Sequence, residues 1–180
     1  MRQRFVLMFW ICLICVGLDQ ITKIQATAHL AGQPPLIFWG GAVRLQYALN
    51  TGAWGSMGSN LPDALRAGVF TWGVGLVLLA LAVYTVRQQE TRGITAALSL
   101  ILAGGLGNLI DRALYGHVVD FLYLGLPGVR WLQTNIFNIA DVAIMAGVGM
   151  MVVLAFKTPD KPVASKPEPA VSPDEERIEN

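Results

Sequence analysis

A chain of 180 residues that is 54% hydrophobic and only 14% charged is far from a soluble domain, in which about a quarter of the residues are charged. With a mean hydropathy of +0.52 and much of its charge confined to the last 24 residues, the rest of the chain is suited to a lipid bilayer. The net charge of +1 names no partner, and the lack of a basic face or aromatic-basic stripe argues against nucleic acid.

Four apolar segments follow in chain order, at about 5–24, 67–86, 94–114 and 136–156. Each has about 20 residues, enough at 1.5 Å per residue to cross a hydrocarbon core of about 30 Å. The expected fold is an all-α polytopic membrane protein of four transmembrane helices, with a small β-containing outer region and a short surface helix. Residues 1–156 form the membrane domain, with outer loops at 25–66 and 115–135. In the first segment, Cys12 and Cys15 lie in an apolar run and read as small apolar filling rather than a redox or metal motif. Arg2 and Arg4, the apolar core and Ala26-Thr27-Ala28 imitate a cleavable signal peptide. Asp19 and Lys23 inside the span argue instead for a retained helix that needs polar partners.

The first outer loop contains LIFWGGAVRLQYALNTGAWG from Leu36, whose β-branched and aromatic residues broken by glycines suggest two or three short strands. Pro62 and Asp63 suit a helix start. Arg2 and Arg4, Arg87 and Arg92, and Lys157, Lys161 and Lys166 flank one side of the spans. Arg44, Arg66 and Arg130 are spread over long loops on the other. Both termini are therefore predicted cytoplasmic. The tail at 157–180, rich in Pro, Lys and Glu, is expected to be disordered.

Ionisable groups inside spans are expensive and usually functional. Asp19 lies 14 residues past Phe5, about 21 Å along the first helix. Asn108 lies 14 residues past Ile94 in a helix running the same way. Arg112 follows Asn108 by four and Asp111 follows it by three. Asn138 and Asp141 lie two and five residues into the fourth span, which runs back. All of these fall in the outer third of the bilayer, as a shared site would require. Asp120, in GHVVDF six residues beyond the third span, is expected to fold back toward Asp141. Two adjoining carboxylates share one proton, so that one takes a proton from water while the other protonates the scissile carbonyl oxygen or leaving amine. No metal or cofactor is required, and His29 and His117 are far apart in sequence. Gly104, Gly105 and Gly107 thin the third helix, for close helix packing or to leave room for a substrate backbone.

Five ordered blocks carry a resemblance: Asp19-Gln20 with Lys23, NTGAWG from Asn50, GGLGNLIDR from Gly104, VVDF from Val118, and FNIAD from Phe137. Together they resemble lipoprotein signal peptidase, also called signal peptidase II, over about residues 5–156. The resemblance implies an intramembrane aspartyl endopeptidase of the bacterial inner membrane. It would act on prolipoproteins, cutting before a diacylglyceryl-modified cysteine, with membrane lipid as its surroundings and no obligate protein partner. It implies Asp120 and Asp141 as the catalytic pair. Asn108, Arg112 and Asn138 would orient the site, while Asn50 and Gly52 would flank it. Gly104, Asp111, Ala140, Asp19 and Lys23 would support it. Trp54 departs from the alanine or phenylalanine frequent in the family, and the Tyr123–Thr134 stretch, with Arg130 and Trp131, looks lengthened.

The residues alone leave other readings open. Asp141 could be a structural aspartate paired with a lysine or arginine, Asp120 an exposed loop carboxylate, and Asn50 a turn residue. Asp111 is a rival second carboxylate, although its neighbour Arg112 suggests an ion-pair role. Asp19 and Lys23 form an i,i+4 pair suited to structural support. A non-enzymatic transport or proton-conducting subunit would instead spread carboxylates along a path across the membrane.

Overall fold

The structure is a computed structural model that describes residues 2–52, 58, 60–88, 91–126, 128–129 and 132–157. Trp54, Arg130, Trp131 and the tail from residue 158 lie outside the described residues. The elements run α1 (Arg2–Leu30), β1 (Leu36–Phe38), β2 (Val43–Asn50), α2 (Asp63–Ala67), α3 (Val74–Arg87), α4 (Arg92–Tyr115), β3 (Val118–Leu124) and α5 (Ile139–Lys157).

Four helices are long and apolar enough to span a membrane: Arg2–Leu30, Ala64–Arg87, Arg92–Tyr115 and Ile139–Lys157. Their outer faces carry exposed Phe9, Trp10, Leu13, Ile14, Leu76 and Val77, which only lipid can solvate without penalty. The short surface helix expected before the second span is not a separate element. α2 continues through the wide turn at Gly68–Gly73 into α3.

The central helix is α4, which packs on α1, α3 and α5. Its contact with α5 is close because neither helix carries a side chain at the crossing points. A Cβ on Gly104 would strike the Ala140 carbonyl and the Ile144 side chain. A Cβ on Gly147 of α5 would lie 2.6 Å from the Ala97 carbonyl. Gly104 and Gly107 thus serve helix packing. The expected alternative of room for a substrate backbone fails there, because protein atoms already fill that space.

The bundle has two chemically different ends. At one, Arg92 Nη2 donates to Gln3 Oε1 at 2.7 Å and Arg4 Nη1 to the Gln88 carbonyl at 3.5 Å. The start of α1, the end of α3 and the start of α4 therefore lie together, as the charge pattern requires. At the other end sits a three-stranded antiparallel sheet in the order β1-β2-β3. The first outer loop supplies two strands, and the third comes from beyond α4. Gly116, at φ +73°, donates its N–H to the Arg112 carbonyl at 3.0 Å. This left-handed cap turns the chain back, so that β3 pairs Val118–Asp120 with Ala48–Asn50.

The sheet also explains where two helices start and stop. α1 runs to Leu30 because Ala26 and Leu30 pack on Val119 and Phe121, well past the expected end at residue 24. α5 starts at Ile139 rather than 136, because Phe137 exchanges backbone hydrogen bonds of 2.9 Å with Leu122.

Candidate active site

Two residues of FNIAD close the first turn of α5 on themselves. Asn138 precedes the helix, and its Oδ1 accepts the Asp141 N–H at 3.0 Å. Asp141 Oδ2 accepts the Asn138 N–H at 3.2 Å. This reciprocal pair is a capping box built from asparagine and aspartate. Asn138 and Asp141 therefore belong to the helix start rather than to the span interior. Ala140 donates its N–H to Asp19 Oδ1 at 2.9 Å, so α1 satisfies a further orphan donor of α5.

Below this turn lies a saturated ionic core. The Lys23 ammonium has three donors, and it meets Asp19 Oδ2 at 2.8 Å, Asp111 Oδ2 at 3.0 Å and Asn108 Oδ1 at 3.0 Å. The i,i+4 pair is thus present. Asp111 is the ion-pair residue that its helix position suggested, but its partner is Lys23 of α1 rather than its neighbour Arg112. Asp111 Oδ2 also takes the Val119 N–H at 3.1 Å, and Oδ1 takes Gln20 Nε2 at 2.9 Å. Gln20 in addition bridges to the Gly107 carbonyl at 3.2 Å and Asp19 Oδ2 at 3.3 Å. Sequence reasoning used Gln20 only as part of a motif, although its place beside Asp19 in an apolar span was the available signal.

The remaining two carboxylates are held by neutral amides. Asn108 Nδ2 donates to Asp141 Oδ1 at 2.9 Å. Asn138 Nδ2 donates to Asp120 Oδ1 at 2.7 Å and to Asn108 Oδ1 at 3.0 Å. Asn50 Nδ2 donates to Asp120 Oδ2 at 3.1 Å, while its own Oδ1 accepts the Gly52 N–H at 3.1 Å. Asn50 is therefore both a turn residue and a ligand of Asp120. Arg112 reaches across to the Gly52 carbonyl at 2.6 Å, fixing residues 50–52 over the end of α4. Asp120 is 4% exposed and lies on β3, so it is not an exposed loop carboxylate.

Burial, reinforced by the neighbouring Asp141, pushes the Asp120 carboxyl up to about 6, against the lowering pull of the Asn50 and Asn138 amides and Lys23. Asp120 also borders a hollow of about 380 Å³. Four carboxylates (Asp19, Asp111, Asp120, Asp141) share this region with two cations (Lys23, Arg112). A proton on the Asp120–Asp141 pair reduces that imbalance. A half-protonated pair with a face open to water can accept a proton from water and donate one to a carbonyl oxygen or amine.

All twelve sequence-selected residues meet here or stand directly behind it. Their clustering at one end leaves no carboxylate ladder across the membrane among the described residues. The buried hydroxyls nearer the other end, Thr85, Thr95 and Ser99, donate to carbonyls of their own helices.

Paired aspartates at the sheet end of a bundle of apolar helices are what an aspartic peptidase working within a membrane needs. The comparisons agree. Residues 11–157 match the family described as Signal peptidase (SPase) II. A lipoprotein signal peptidase of Nostoc punctiforme is 39% identical over 158 residues, covering 84% of this chain and 92% of that relative. One of Sphingopyxis alaskensis is 35% identical over 173 residues, covering 93% and 94%. Two solved structures of a bacterial membrane enzyme, at 2.3 Å and 1.9 Å resolution, superpose with TM-scores of 0.70 and 0.71 at 27% and 26% identity. They span 87% and 84% of this chain and 93% and 94% of their own.

The chain belongs to the signal peptidase II family. It is a multi-pass membrane protein and an aspartic-type peptidase, and nothing supports the transport or proton-conduction alternative.

Proposed function

We propose that the chain removes signal peptides from prolipoproteins, cutting before a diacylglyceryl-modified cysteine, with Asp120 and Asp141 as the catalytic pair. The observation that carries this reading is the amide bridge. Asn138 donates to Asp120 at 2.7 Å and Asn108 to Asp141 at 2.9 Å, so two side chains from β3 and α5 are linked through neutral amides. Asp141, the base, takes a proton from water. Asp120, whose carboxyl is raised to about 6, gives the shared proton to the carbonyl oxygen; as the diol collapses, Asp141 passes the proton taken from water to the leaving amine and Asp120 recovers its own from the diol hydroxyl. Asn50, Gly52, Asn108, Arg112 and Asn138 orient the pair and the substrate backbone. Asp19, Lys23, Gly104, Asp111 and Ala140 hold the helices that present it.

The protein sits in the bacterial inner membrane with both termini cytoplasmic and the sheet end outward. The lipid-anchored substrate reaches the pair from within the bilayer. The charge pattern, the family membership and the polar cluster at the sheet end support this orientation. Incubating purified protein with a diacylated precursor tests the assignment. Asp120→Asn and Asp141→Asn are each expected to stop release of the signal peptide while the protein stays folded. Near-normal cleavage by either variant overturns it.

A further inference from the structure

The hollow beside Asp120 contains a charge that the chemistry of cleavage does not use. We infer that it is a subsite for the stretch of substrate following the cleaved bond, and that Arg44 makes it favour an acidic side chain there. This rests on the reading of Asp120 as half of the catalytic pair.

Three polar side chains line the hollow without carboxylate or amide partners of their own. The Arg44 guanidinium lies 4.7 Å over the Tyr123 ring. Among the described residues its one hydrogen bond is from Nε to the Gly41 carbonyl at 3.4 Å, and it has no acidic partner there. The side-chain amides of Gln46 and Asn135 face the same space and have no hydrogen bond among the described residues. Stacking on Tyr123 fixes the plane of the guanidinium and leaves its outer N–H groups available for a planar, two-oxygen acceptor. A carboxylate is such an acceptor.

The direction of the occupant follows from the surroundings. The signal helix of a substrate is apolar and belongs among the spans. The hollow is instead built from β2, β3 and residues 134–136 at the sheet end, and its polar lining suits the chain that continues into water. Its distance from the cut can also be read off. Arg44 is paired in register with Tyr123, three positions along β3 from Asp120. At about 3.3 Å per residue that is about 10 Å, or roughly three residues of an extended substrate.

The test uses full-length protein in neutral-lipid vesicles and diacylated precursors that differ only in having Asp, Asn or Lys at the second to fourth positions after the modified cysteine. The readout is the ratio of kcat/KM for the Asp and Lys precursors within one preparation, so that loss of folded protein cancels. Wild type is expected to prefer Asp by about fivefold or more at one of these positions. Arg44→Lys should keep the preference, Arg44→Gln should abolish it, and Arg44→Glu should invert it. No preference in wild type, or an unchanged ratio in Arg44→Glu, overturns the subsite. So does a ratio that follows added anionic lipid rather than the precursor, which would make the guanidinium a headgroup ligand. The Asn precursor separates the two levels of the claim. If wild type fails to cut it, or Asp120→Asn still cuts it, the catalytic reading fails. If it is cut only with Asp120 intact and no charge preference appears, the subsite alone fails.

Discussion

Two pairs of aspartates lie within one polar cluster, and the chain treats them oppositely. Asp19 and Asp111 are saturated: each meets Lys23, each accepts a backbone N–H, and Gln20 reaches both. Among the described residues, Asp120 and Asp141 receive only neutral amide and backbone donors, and Asp120 borders open space. The lesson is that the residue type says little. The partners decide: Lys23 occupies Asp19 and Asp111, whereas Asp120, held by amides beside a second carboxylate, is pushed up to about 6.

The largest expected effect is on rate. Replacing Asp120 or Asp141 by asparagine removes an acid–base group, with an expected loss of about 10³-fold or more in kcat for precursor cleavage. Asp111→Asn should lose far less per folded molecule, which a kinetic assay normalised to folded protein will check.

The second effect is on stability, and it falls on the other pair. Lys23→Met leaves Asp19 and Asp111 buried without their cation, a loss on the order of 3–5 kcal/mol, visible as a lowered midpoint in thermal unfolding in detergent. Asp120→Asn, which breaks no salt bridge among the described residues, should shift that midpoint much less.

A smaller loss is expected from Gly107→Ala. Its new methyl would sit 2.6 Å from Asp19 Oδ2, and overpacking of this kind costs about 1–3 kcal/mol. The same unfolding assay reads it.

The subtlest effect separates the pairs by pH. With its carboxyl raised to about 6, Asp120 keeps its proton below that pH and loses it above. The singly protonated pair is therefore depleted as pH rises, and kcat/KM should fall along an alkaline limb beginning near 6. Asn50 stabilises the charged carboxylate. Asn50→Ala should consequently move that limb to higher pH, whereas changes around Lys23 that preserve the fold should move it less.

Much of this contrast could be read from the sequence, because hydropathy and helical rise act locally. Four spans follow from apolar run length, and the common depth of Asp19, Asn108, Asp111, Asn138 and Asp141 follows from counting residues along them. What could not be read depends on distant partners. VVDF is too short to declare a strand, and it becomes β3 only by pairing with Ala48–Asn50. α5 starts later than its apolar run implies because Phe137 is drawn into the sheet by Leu122. The sequence suggests Arg112 as the neighbour of Asp111, whereas Lys23, 88 positions away in the chain, takes it. The roles of Asp120 and Asp141 came from the family resemblance; their residue types alone did not separate them from Asp19 and Asp111.

If Asp120 and Asp141 work as one unit, their removal is not additive. The decisive measurement is the cleavage rate of one diacylated precursor by Asp120→Asn, Asp141→Asn and the double variant, each normalised to folded protein. The expected result is that either single substitution already brings the rate down to that of the double. Two partial losses whose product equals the loss in the double variant would mean that the two carboxylates act independently, contrary to a shared-proton pair.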